Sequence, residues 1–199
     1  MSLTLYFLRH GQTTLSRDDS FCGSGLDPEL TPEGLEMAQA FTAAYQAKSW
    51  TAIYASSLRR TMQTARPLCE RLQMNLEARD ELQEIAYGKW EGLSKEVVGE
   101  KYQDDYLKWL ADPARHAPTG GELATTVAER GLRVIHEIRE RFAFGNVLVV
   151  SHKATIRILL CSFLVSSLSS VEFPANGPLL QTLADRSHLD ERLKTLPGT

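Results

Sequence analysis

The chain has 199 residues, 43% of them hydrophobic and 24% charged, which fits one water-soluble globular domain over residues 1–199. A formal net charge of −3 speaks against broad nucleic-acid binding, so any anion site has to be local. No apolar run is long enough to span a bilayer, and three scattered cysteines, Cys22, Cys69 and Cys161, have no metal-ligand spacing and suit a reducing cytoplasm.

The first element is an apolar run, Leu3 to Leu8, read as a buried strand that starts too close to Met1 to leave room for a signal peptide. It ends in Arg9, His10 and Gly11, so a strand delivers a cation and an imidazole to a sheet edge, where Gly11 permits a sharp turn and close approach of a ligand. A polar loop, Gln12 to Leu30, follows, and its length suggests function. Thr31-Pro32-Glu33 starts a helix to about Lys48, with Leu35, Ala38, Phe41 and Tyr45 facing inward. Ala52 to Ala55 is a short strand. Ser56 and Ser57 are placed to cap a helix from Leu58 to about Leu72, with Met62, Ala65 and Leu68 inside.

Asn75 to Ala78 is the third strand, and Glu81 to Leu93 is irregular and aromatic. Short helices are expected at Lys95 to Tyr102 and Asp105 to Leu110, then a loop from Asp112 to Gly121. A long helix, Glu122 to Phe142, turns Val127, Leu132, Ile135 and Ile138 inward. Asn146 to Val150 is a buried strand ending at Ser151-His152, followed by a helix from Thr155 to Leu164. Leu168 to Phe173 and Leu179 to Leu183 read as two strands around an Ala175-to-Pro178 turn. The alternation predicts an α/β fold, a three-layer α/β/α sandwich with a mostly parallel central sheet.

Parallel strands put His10 and His152 on one edge of that sheet. Arg9 precedes the first, and Arg59-Arg60 stands where a helix begins; of these two, Arg59 is read as solvated and Arg60 as the ligand. Two imidazoles and two guanidiniums, aided by helix N-terminal amides, describe a pocket for a phosphoryl group that needs no bound metal.

With these residues in place the chain resembles the histidine phosphatase superfamily, in its phosphoglycerate mutase-like branch. The matches are LRHGQT at 8–13, LTPEG at 30–34, SSLRRTMQTA at 56–65, LQEIAYGKWEGL at 82–93 and VVSHKATIR at 149–157. The resemblance implies that His10 is the nucleophile, that Arg9, Arg60 and His152 hold the phosphoryl oxygens, and that Glu84 is the proton donor. It also points to Gly11, Gln12, Ser16, Cys22, Gly23, Tyr87 and Lys153 as substrate contacts. Tyr87 is either a contact or loop packing, Trp90 is a packing anchor, and Lys153 either adds charge beside a second anionic group or points to solvent. Ser16 stands where the family often has asparagine, Cys22 replaces a common glutamine, and Lys153 replaces a common glycine; these bear on substrate identity.

The connection between Leu164 and Leu168 is shorter than the family's, which suggests an uncovered edge and a homodimer through Cys161 to Phe173. The expected activity is a metal-independent phosphatase acting on a small phosphorylated metabolite, without cofactor, in the cytoplasm. The alternative is a cofactor-dependent phosphoglycerate mutase. An inactive phospho-binding protein is a third reading, disfavoured because nucleophile and acid are both present.

Overall fold

The computed structural model describes residues 2–169 and 187–197. Its strands are β1 (Leu3–Arg9), β2 (Trp50–Ser56), β3 (Leu76–Arg79) and β4 (Gly145–Ser151), in spatial order β1-β4-β2-β3. All their pairings are parallel. The helices among the described residues are α1 (Thr14–Arg17), α2 (Pro32–Tyr45), α3 (Arg59–Leu72), α4 (Lys95–Lys101), α5 (Gln103–Ala111), α6 (Ala124–Arg141), α7 (Lys153–Ser169) and α8 (Glu191–Lys194).

Strand side chains alternate between two faces, and each face meets its own helices. On one, Ile53, Ala55, Leu148 and Val150 pack with Phe41 of α2 and Ala65 and Leu68 of α3. On the other, Ala52, Tyr54, Val147 and Val149 pack with Val134, Ile135 and Ile138 of α6. Burying each large aliphatic side chain here contributes about 1.5–3 kcal/mol, and a sheet covered on both faces is why these strands read as continuous apolar runs. The three-layer, mostly parallel arrangement matches the expectation.

Several local expectations need correction. The loop after β1 contains a helical turn, α1, fixed by a capping box: Thr13 N–H donates to Ser16 Oγ at 2.9 Å and Ser16 N–H to Thr13 Oγ1 at 3.2 Å. In α2, Thr31 caps Gly34 N–H as expected at 3.0 Å, but Met37 takes the inward phase and Leu35 is 42% exposed. The α3 end is capped by neither Ser56 nor Ser57; both carboxylate oxygens of Asp27 accept from Arg59 N–H at 2.9 Å. In α6, Gly131 and Val134 are buried while Leu132 is half-buried, and the helix begins at Ala124 rather than Glu122.

The last helix departs most. α7 continues to Ser169, so Leu168 and Ser169 are helical and no connection intervenes after Leu164. The stretch from Leu164 to Leu168, read as a short connection, is thus part of the helix. The remainder of the expected strand to Phe173 and the expected strand at 179–183 lie outside the described residues.

Candidate active site

The two imidazoles arrive together because β1 and β4 are neighbours in register, Arg9 opposite Ser151. The chain leaves the sheet at the next residue of each strand, and His10 N–H still donates to Ser151 O at 3.0 Å. The ring centroids stand 5.2 Å apart at 58°. His10 Nδ1 lies 2.7 Å from Gly11 O. A carbonyl only accepts, so Nδ1 carries the proton and Nε2 keeps an unshared pair. Burial, reinforced by the Arg9 and Arg60 guanidiniums, holds the His10 ring well below the usual imidazole range. His152 is pushed down in the same way, by burial first and then by His10 and Arg60.

Arg60 is wholly buried, whereas Arg59 is exposed and paired with Glu29 at 2.9 Å. Arg60 Nε donates to His152 Nδ1 at 3.3 Å, Nη1 to Leu26 O at 2.8 Å and Nη2 to Gly23 O at 2.8 Å. Nη1 also stands 3.5 Å from Asp27 Oδ1, so of the five N–H groups of the guanidinium three are bonded and a fourth faces a carboxylate. With Nδ1 accepting, His152 carries its proton on Nε2 and donates it to Ser56 Oγ at 2.9 Å. Arg9 Nε is buried without a hydrogen-bond partner among the described residues, an orphan donor at the pocket.

Glu84 follows the 3₁₀ turn after β3 and sits at the start of α7. Its Oε1 accepts from Ile85 N–H at 3.1 Å, Thr155 N–H at 3.0 Å and Thr155 Oγ1 at 3.1 Å, and its Oε2 accepts from Ala154 N–H at 3.2 Å. Arg130 braces the loop behind it, donating to Glu81 O at 2.6 Å and Glu84 O at 3.2 Å while paired with Glu122 at 2.9 Å. All five residues expected at the centre, Arg9, His10, Arg60, Glu84 and His152, thus converge at the carboxyl end of the sheet.

The other expected contacts divide. Gly11 does not turn through a left-handed conformation; its lack of a side chain admits α2, because a Cβ there would lie 2.4 Å from Gly34 O. Gln12 is engaged elsewhere, with Oε1 accepting from Thr31 Oγ1 at 2.9 Å and Nε2 donating to Pro197 O at 2.6 Å. Ser16 Oγ is occupied by the capping box. Gly23, at φ +62°, presents its carbonyl to Arg60, and Cys22 bonds Leu26 O at 3.5 Å with its thiol pushed up to about 11 by burial. Tyr87 packs its ring 4.8 Å from Phe21 and 6.0 Å from Trp109, in a cluster with the fully buried Trp90. Lys153 is exposed at the rim.

Thr64, Asp27, Arg130 and Thr155 carry no role in the sequence reading, and Ser56 enters it only as a helix cap. Ser56, Thr64 and Thr155 lie inside matched motifs, a signal that could have found them. Thr64 Oγ1 accepts from Gly11 N–H at 3.0 Å. Asp27 and Arg130 act across the fold and leave no local pattern. Among the described residues, no group of three or more His, Cys, Asp or Glu is placed to hold a metal ion.

Comparison with known proteins agrees with this geometry. The histidine phosphatase superfamily (branch 1) profile matches residues 5–179. Phosphoserine phosphatase 1 of Hydrogenobacter thermophilus is 31% identical over 165 residues, covering 83% of this chain and 78% of its own. The solved mycobacterial glucosyl-3-phosphoglycerate phosphatase superposes with a TM-score of 0.73 at 29% identity, over 80% of this chain and 78% of the other. A 2,3-bisphosphoglycerate-dependent phosphoglycerate mutase of Rhizobium etli is 29% identical over 206 residues, 98% of each chain.

Proposed function

Since the chain belongs to branch 1 of the histidine phosphatase superfamily, we propose that this hydrolase of small phosphate monoesters works without metal, through a phosphohistidine on His10. The observation that carries the reading is the neutral His10 ring, its proton fixed on Nδ1 at 2.7 Å from Gly11 O and its Nε2 pair free. Nε2 attacks phosphorus in line as the P–O ester bond breaks, and the two arginines stabilise the charge on the equatorial oxygens. His152 spends its single N–H on Ser56 Oγ in the free protein and accepts from Arg60 Nε at Nδ1, so it would have to give up the Ser56 bond to donate to the same oxygens. Glu84 gives its proton to the departing alkoxide. It then takes a proton from water as that water attacks phosphorus, the N–P bond breaks, and phosphate and neutral His10 are released.

Relatives named for phosphoserine and glucosyl-3-phosphoglycerate support a small phosphorylated metabolite as substrate. Free cysteines support a reducing cytoplasm. No helix among the described residues is long and apolar enough to cross a membrane. The mutase is a second reading, favoured by the Rhizobium etli relative, which matches nearly end to end; it is less supported than hydrolysis. The test uses p-nitrophenyl phosphate with EDTA, then 3-phosphoglycerate with 2,3-bisphosphoglycerate. Chelator-resistant phosphate release that is lost in His10→Ala is expected. Isomerisation with little release would favour the mutase, and release that stops with EDTA would overturn metal independence.

A further inference from the structure

A basic ledge at the pocket rim is left unexplained by transfer of the phosphoryl group itself. Lys153 opens α7 and Arg157 follows one turn later, the spacing that puts two side chains on one face. Both are exposed, and neither side chain has an ion-pair partner among the described residues. Cations at this spacing repel each other, and at a helix N-terminus they also oppose the macrodipole. No acid stands in that first turn to offset either effect.

The charges facing the ledge come from several elements. Arg9, Lys95 and Arg157 all act against the Lys153 ammonium, while Asp19 is the acid that favours it. Asp19 is itself bound to Lys95 Nζ at 2.6 Å. Arg157 acts in turn on Tyr87, which also feels Glu84. The same helix start holds the Glu84 carboxylate through Ala154 and Thr155 N–H. Lys153 directly follows His152, whose ring stands 5.2 Å from His10, and the next two amides hold Glu84, so the ledge begins beside the acid that meets the leaving group. A chain of net charge −3 that gathers four cations here has built a locally positive rim.

We propose that Lys153 and Arg157 form a second anion subsite that binds a negatively charged group, carboxylate or phosphate, on the leaving-group half of the ester. The proposal rests on the phosphatase reading and narrows its substrate class to esters with two anionic groups.

Matched ester pairs test it: 3-phosphoglycerate against glycerol 3-phosphate for a carboxylate, and fructose 1,6-bisphosphate against fructose 6-phosphate for a phosphate. In at least one pair the doubly anionic ester is expected to have the higher kcat/KM. In Lys153→Ala/Arg157→Ala that ratio should fall tenfold or more, through KM rather than kcat, and a Lys153→Arg/Arg157→Lys protein should recover most of it. Ratios unchanged by the alanine pair, or no wild-type preference in either pair, would overturn the subsite. Calorimetry on His10→Ala protein supplies a readout free of turnover. It should bind the doubly anionic member more tightly, and adding the two alanines should remove the difference. A wild-type protein that releases phosphate from none of these esters would instead sink the phosphatase reading, and the subsite would then stand or fall on that binding difference alone.

Discussion

An imidazole attacks phosphorus only through an unshared pair, and His10 keeps one at Nε2 because Gly11 O holds the proton on Nδ1. Burial and the nearby guanidiniums protect that pair against protonation. Resonances of labelled His10 should therefore titrate below 6.5; a midpoint at or above 6.5 would show burial and the positive surroundings to be ineffective. Glu84 has a different signature. Replacing it by glutamine removes the proton donor, so hydrolysis of an alkyl phosphate should fall about 10²–10⁴-fold. p-Nitrophenol leaves as a stable phenolate, so p-nitrophenyl phosphate should suffer far less; equal losses on both esters would remove Glu84 from the role of acid. The central residues were legible because strand ends display them beside short, typed motifs. For Gln12 and Ser16, sequence spacing carries no information on which way a polar side chain turns. Both hydrogen-bond locally or across to Thr31 and Pro197.

Among the elements, the strand ends do the positioning, and helix starts are fitted tightly against them. The chain after β1 packs on the first turn of α2 through two glycines: a Cβ on Gly34 would stand 2.2 Å from Gln12 O and 2.9 Å from Gln12 N. Backbone cannot yield as a side chain does. Gly34→Ala should therefore cost about 1–3 kcal/mol in denaturant unfolding and lower kcat by displacing His10. An unchanged unfolding midpoint and rate would show that contact to be slack. The buried strands and the longer helices were readable from period alone, since apolar residues outline each face. Helix ends were less so. The α3 N-terminus is capped by Asp27, distant in sequence, and serines that look like caps serve His152 and Asp80 instead. The extension of α7 to Ser169 was missed because an apolar run of that length fits a helix or a strand equally well.

At the scale of the molecule, the fold stores electrostatic work in its catalytic edge. Both His10 and His152 have folded pKa values below 6.5. Below that pH the unfolded chain binds more protons than the folded one, so their contribution leaves stability unaffected above 6.5 and erodes it as pH falls. Each such histidine adds a slope of up to about 1.4 kcal/mol per pH unit. Unfolding free energy measured between pH 7 and 5 should decline less steeply in His10→Gln than in wild type; identical slopes would mean that the ring gains its proton without penalty. The three-layer architecture was recoverable from the order of strands and helices, whereas the strand order β1-β4-β2-β3, which brings the two histidines side by side, depends on pairings that no local pattern records.

The most direct measurement is rapid quenching of the protein with a phosphate ester during turnover, followed by peptide mass spectrometry under alkaline conditions that preserve an N–P bond. A transient phosphoryl group on His10, absent in His10→Ala, is expected. Steady release of phosphate with His10 unmodified, or the label on another residue, would contradict the phosphohistidine mechanism.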